Sequence, residues 1–444
     1  MSAVRILAPL SVAASALALA VLAAPPALGH PPGITERVSI GPGGAAADND
    51  ALLPAISGDG RYVAFWSDAS TLVAGDTNGT SDVFVHDRST GVAERVSVDS
   101  RERQSDGAEA DGVLDTNFGP PAITPDGRYV AFASSATNLV KGDKNNAVDI
   151  FLRDRLLGTT ERVTAVGRKT VANAESSFPA ISPDARFIAF QSFADNLVPS
   201  DTNFTSDVFL LDRQAGTIVR VSVTSTGEQA GNASRSPAIT PDGRFVAFES
   251  DALLVPGEVE DSAGDVYLRD LQAGTTEGIS GGSELVGHSG GPKITPDGRF
   301  VAFHSWDDGL VPGDTNNSYD VFVRDRSSGA LERVSVDSAG AQGNHWSLGA
   351  SITPDARFVA FHSFADNLVA GDTNFDYDIF VRDRATNTTV RASVRSDGSE
   401  GGLSLASLNP SLSADGTVVA FQSEADLVPD DTGFPVDVFV HDHS

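Results

Sequence analysis

Five stretches of the chain place carboxylate and amide oxygens at one spacing, Asp-x-Asn-x-x-x-Asp, each at the start of a β-type run. The frames are Asp76/Asn78/Asp82, Asp143/Asn145/Asp149, Asp201/Asn203/Asp207, Asp314/Asn316/Asp320 and Asp372/Asn374/Asp378, the last with Asp376 as a further oxygen donor. A sixth copy keeps Asp431 and Asp437 around Gly433, and a degenerate one surrounds Asp261 and Asp265. A hard cation such as Ca²⁺ takes about six to eight oxygens, and steps of two residues turn side chains toward the inside of a tight loop. The same residue types have a second use. Asp and Asn bond their own backbone in Asx turns, which is enough to shape a strand connection. Calcium is one expectation for these loops, and a structural turn is the other.

Positions 1, 3, 5 and 7 of the frame resemble the opening of an EF-hand loop, and the remainder departs from it. Asp87 falls at position 12, but Asp82–Asp87 read as a strand spanning about 16 Å, too far for both ends to touch one ion. Loop carbonyls or a neighbouring segment would have to complete any ion shell.

A second set of residues is defined by variation against a constant background. Trp66, Gln191, Glu249, His304, His362 and Gln422 each follow an Ala-Phe pair in otherwise near-identical segments, with Ala133 in the remaining copy. A ligand-facing ring on a repeated scaffold has this pattern, and so does a set of spacers between repeats. GHSGGP (287–292) matches G-x-S-x-G and resembles the G-D-S-G-G-P of trypsin-like proteases, but no helix follows Ser289 and no base or oxyanion hole is identifiable. It reads as a turn. The Arg-Asp-Arg pieces at 153–155, 324–326 and 382–384 read as exposed ion pairs.

These residues are positioned by a repeat. PAISGDGRYVAF (54–65) returns at 121, 179, 237, 292, 350 and 410, at intervals of 55 to 67 residues. Each block is followed by an acidic loop, a DVFVRD-like run and usually an ERVSV run. The unit predicts four short strands, the first two joined by a Pro-Asp-Gly-Arg turn, with no 3.6-residue periodicity. The seventh unit stops after its third strand at 437–444, whereas TERVSI (35–40), a fourth-strand sequence, stands alone near the other end. The expected architecture is therefore all-β: a closed seven-bladed β-propeller of four-stranded blades, the last completed by the N-terminal strand. It is expected to form one domain over residues 30–444.

Residues 1–29 read as a secretory signal: Arg5, an apolar run and a small-residue site at Ala27-Leu28-Gly29. The expected location is extracellular, with no membrane span after cleavage and a monomeric product. A formal charge of −29 opposes nucleic-acid binding. The absence of cysteine excludes disulfides and thiolate metal sites.

The S/T-P-D-G-R-x-[IV]-A-F block with its D-[VI]-[FY]-V-x-D strand resembles the TolB-type, WD-like propeller repeat, in all seven units. The resemblance implies the propeller fold and functions such as partner docking and scaffolding. No unique acid–base pair or nucleophile stands outside the repeat. The expected function is thus a non-enzymatic binding module for a protein, peptide or cell-envelope partner, acting through an acidic loop face. The alternative is a hydrolase or lyase acting on a glycan or ester, with carboxylates at the channel mouth.

Overall fold

The computed structural model describes residues 33–107, 118–166, 170–257, 264–281, 287–402, 406–431 and 434–443. The signal segment, Asp261 and Gly433 lie outside the described residues. Seven four-stranded antiparallel sheets follow one another along the chain. The first strands are Ala51–Ile56, Ala122–Ile123, Ser176–Ile181, Ser234–Ile239, Ser289–Ile294, Ser347–Ile352 and Ser407–Leu412. They face a central channel. The second strands, from Tyr62–Ser67 to Val418–Ser423, pair with third strands running from Asp82–Asp87 to Asp437–Asp442.

The near-continuous apolar runs of these middle strands are buried on both faces. Phe65 and Phe84 are register partners with ring centroids 6.1 Å apart, and the pairing recurs as Phe132–Phe151, Phe190–Phe209, Phe303–Phe322 and Phe361–Phe380. All ten rings are fully buried. Such aromatic pairs add about 0.5–1.5 kcal/mol each beyond their burial. The core is thus a repeated phenylalanine stack, one per blade, continued by Phe248–Tyr267 and Phe421–Phe439.

The ring closes as the chain ends predict. Thr35–Arg37 adds to Asp437–Asp442 as the outer strand of blade 7, in the register Thr35↔His441, Glu36↔Val440 and Arg37↔Phe439. Its Glu36 then pairs with Arg88 of blade 1. Equivalent bridges join Arg155 to Glu94, Arg213 to Glu161, Arg326 to Glu277 and Arg384 to Glu332. These arginines differ from the exposed pairs expected of the Arg-Asp-Arg pieces. Their side chains are mostly buried between blades, and Arg155 stacks on Tyr62 of the preceding blade, 4.5 Å from its centroid. The intervening aspartates Asp154, Asp325 and Asp383 turn the other way, to Arg128, Arg299 and Arg357.

Each six-residue first strand carries an irregularity at its middle, as between Leu52 and Ala55. The residue before the proline adopts left-handed backbone at Leu53, Phe178, Ser236, Gly291 and Asn409, and Gly349 does so at the same position before Ala350. The bulge bends each strand where it meets the channel.

Candidate functional site

The loops between second and third strands share one rim with the connections between blades. In blade 1, Asn78 donates from Nδ2 to Asp82 at 2.8 Å and to the Ser105 carbonyl at 3.2 Å. The asparagines of three sibling frames repeat this double bond. Asn145 donates to Asp149 and to the Ala172 carbonyl, both at 2.9 Å. Asn203 reaches Asp207 at 3.1 Å and the Ala230 carbonyl at 3.0 Å. Asn316 reaches Asp320 at 3.0 Å and the Gly343 carbonyl at 2.8 Å.

These asparagine contacts are those of a structural turn. Asn78, Asn145, Asn203 and Asn316 turn amide nitrogen, a donor, toward the carboxylate, where a calcium site needs oxygen. The Oδ1 atoms of Asn145, Asn203 and Asn316 accept instead from the Ala147, Thr205 and Ser318 amides two residues on, as in an Asx turn. The asparagine thus clips the loop to the strand that follows and to the next connection.

An arginine also stands between the two carboxylates of these loops. Arg95, from the fourth strand Val92–Arg95, lies 2.9 Å from Asp76 and 3.1 Å from Asp82. Arg162 stands likewise between Asp143 and Asp149, Arg220 between Asp201 and Asp207, and Arg333 between Asp314 and Asp320. In blade 7 the N-terminal strand supplies Arg37, 3.2 Å from Asp437, with Asp430 as its second partner.

The last carboxylate of each frame opens the third strand and is buried. A serine or threonine from beyond the fourth strand donates to it, as Ser222 does to Asp207 and Ser39 to Asp437, both at 2.5 Å. Burial raises the carboxyls of Asp149 and Asp378, and those of Asp207, Asp320 and Asp437 to about 6, against the opposing effect of hydroxyl and arginine.

Blade 6 departs from its siblings. Gln104, Gln229 and Gln342 bond the loops of blades 1, 3 and 5, and the same connection in blade 6 brings Glu400. One oxygen each of Asp372, Asp378 and Glu400 falls within 4.8 Å of the others. Arg391 meets all three, at 3.2, 3.2 and 2.6 Å. Burial, with Asp378 nearby, pushes Asp372 up to about 7. Asn374 donates to Asp378, and Asp376 turns to the backbone of Tyr377. Asp431 sits beside the chain closure with Asp437.

The variable ring faces the bulges. Gln422 accepts from the Leu53 amide at 2.9 Å and Gln191 from the Ser236 amide at 3.2 Å, each reaching the first strand of the following blade. Trp66 is buried and donates to the Gly119 carbonyl. His304 and His362 instead lie over the bulge glycines of their own blades, Gly291 and Gly349, where a Cβ would come within 2.8 and 2.4 Å of the rings. Each His leaves a buried Nδ1 without a hydrogen-bond partner among the described residues. Burial lowers the two imidazoles to about 4 and about 3, so both are neutral at pH 7.

Glu249 belongs to a local polar cluster. It is 3.0 Å from His288 and pairs with Arg235, which grips Asp251 through two further bonds at 2.8 and 3.0 Å. Burial alone would raise Glu249; His288 and Arg235 outweigh it and bring its carboxyl below the ordinary range. Aromatic rings continue from here through His304, Tyr319, Trp306 and Trp346. Ser289 of the GHSGGP segment opens a strand, not a turn, and is buried with its hydroxyl on Ser305.

Sequence reasoning missed a further set. The fourth position of the acidic frame takes left-handed backbone at Gly79, Asn146 and Asn317, residue types suited to it. In blades 3 and 6 the position holds Phe204, with φ 57°, and Phe375, with φ 58°. Phe204 is 91% exposed and Phe375 73% exposed. A bulky side chain in this region is strained, by about 1–3 kcal/mol, and neither ring recovers that by burial. The signal was present: Phe where three sibling loops have Gly or Asn.

No protein-family model matches the chain, and no curated protein matches it. Solved structures do. Oligogalacturonate lyase from Vibrio parahaemolyticus is 14% identical with a TM-score of 0.56, over 92% of this chain and 93% of that one. A puromycin-hydrolyzing peptidase from Mycobacterium tuberculosis is 15% identical with a TM-score of 0.56, over 94% of this chain and 55% of that one. TolB from Acinetobacter baumannii is 16% identical with a TM-score of 0.41, over 81% of this chain and 75% of that one. At these identities the likeness shows the fold alone.

Proposed function

We propose that this chain is an exported, non-enzymatic β-propeller that binds a protein, peptide or cell-envelope partner through its loop rim. The observation that carries the reading is the pair Phe204 and Phe375, strained and exposed where Gly or Asn would serve the loop better. A partner surface that accepts the rings gives them a use that folding does not. Export rests on the signal-like segment ending at Gly29. The test is retention of purified protein on isolated cell-envelope material. F204N/F375N should lose retention while melting at an equal or higher temperature. Equal retention of variant and parent overturns the reading.

Calcium, as a cofactor of this rim, is supported at blade 6, where Glu400 gives Arg391 three carboxylates to balance. A melting temperature that rises with millimolar calcium and falls back with EDTA, and no longer does so in E400Q, supports it. Superimposed curves for the parent remove it.

The hydrolase or lyase alternative is supported by the Glu249–His288 pair beside His304, the one place in the ring where a buried acid meets an imidazole. The channel lining itself contains no acidic residue among those described. Turnover of a pectic or ester substrate that is lost in H288A would establish the enzyme and displace the binding reading.

A further inference from the structure

The central channel runs between the seven first strands and encloses about 460 Å³, within the range of small-molecule sites. Its wall repeats Pro-Ala-Ile: Pro54, Ala55 and Ile56 in blade 1, Pro179, Ala180 and Ile181 in blade 3, Pro237, Ala238 and Ile239 in blade 4. The middle position is small in six blades, with Ala55, Ala122, Ala180, Ala238, Ser351 and Ser411. The two serines are engaged in the wall, where Ser351 accepts from the Leu412 amide and Ser411 from the Ile56 amide, both at 3.1 Å.

Blade 5 places Lys293 at this position, the one charged residue of the lining. The Lys293 side chain has no hydrogen-bonding or ionic partner among the described residues. The chain has 60 acidic residues against 31 basic ones, so an unpaired lysine facing an apolar wall is an exception to its own surroundings. Its side chain remains accessible from within the channel, and the enclosing walls nevertheless desolvate the amine and lower its pKa. Both follow from one position: a charged group on the inside of a narrow apolar passage.

The passage thus presents one ammonium beside a wall of proline, alanine and isoleucine side chains. We propose that the channel binds an amphipathic organic anion, its carboxylate on the Lys293 ammonium and its aliphatic part against the Pro-Ala-Ile wall. The anionic head supplies a charge-assisted hydrogen bond, and the tail supplies apolar burial. The site is separate from the loop rim and from its exposed phenylalanines.

Calorimetric titration with decanoate, below its micelle-forming concentration, tests the assignment. The parent should bind one equivalent. K293M, which keeps the chain length and removes the charge, should bind roughly tenfold to hundredfold more weakly. Decanol should bind the parent more weakly by a similar factor. K293A returns blade 5 to the alanine of its siblings and so keeps the fold, and A238K/K293A, which moves the amine to the next blade, should recover binding. Absence of saturable decanoate binding by the parent, or equal binding by K293M and the parent, overturns the proposal.

Discussion

Blade 3 and blade 7 are built to one plan from differently ordered pieces of chain. In blade 3 the four strands run continuously from Ser176 to Arg220, and Arg220 and Ser222 serve the buried Asp207. In blade 7 the corresponding Arg37 and Ser39 arrive from the far end of the sequence and serve Asp437 in the same way. The blade is thus defined by its register and its buried carboxylate, and continuity of the chain is incidental. What distinguishes blade 7 is that its outer strand is joined to the other three by contacts across the sheet, with no hairpin connecting them.

The largest break in the equivalence is expected from deletion of residues 33–40. It leaves the outer edge of the third strand of blade 7 unpaired and Asp437 without arginine or serine, and should cause aggregation or a large drop in melting temperature. An unchanged melt would mean that the N-terminal strand is not the latch.

Next in size is the arginine itself. R220A and R37A each leave a buried carboxylate uncompensated and should cost about 3–5 kcal/mol in denaturant unfolding. R37A should also lower protection of blade 7 amides from hydrogen exchange selectively, whereas R220A should act on the whole domain. Identical exchange patterns would show that closure through the chain ends adds no local weakness.

The smallest effect sharpens the comparison at one residue. Blade 7 carries His441 where blade 3 carries Leu211. Burial lowers His441 to about 4, and its Nδ1 lies 2.8 Å from the Thr35 hydroxyl. Between the unfolded value near 6.5 and about 4, the unfolded chain binds the extra proton, so stability falls as pH drops through that window. H441L should remove about 1–3 kcal/mol of this acid sensitivity, read from chemical denaturation at pH 7 and pH 4.5. A variant with the parent's pH dependence would place the sensitivity elsewhere.

The blades and their closure were legible because a turn of the Pro-Asp-Gly-Arg type and an Ala-Phe core return in every unit, and because TERVSI stands where no blade of its own exists. The acidic loops were legible as a pattern and silent about their cation. The register that brings Arg95 between Asp76 and Asp82 joins a loop to two paired strands, and no spacing along the chain reveals it. Nor does spacing say which end of an amide faces inward: Asn145, Asn203 and Asn316 are turned by carbonyls 27 residues further on. The variable ring was found by its variation, but the role of Gln191 and Gln422 depends on the bulge in the adjacent blade. Lys293 stood in the open within PKITPDGRF, and its meaning required knowing that this strand faces a channel.

The closing strand also fixes how the molecule meets a load. Thr35 lies opposite His441, and the Gly33 amide bonds the Asp442 carbonyl, so both chain ends leave the same end of one antiparallel pair. Tension applied between the termini therefore falls on the outermost hydrogen bond first and peels the pair one rung at a time. The ring resists heat through all seven blades at once, but against a pull on its ends it is a zipper held by its first tooth.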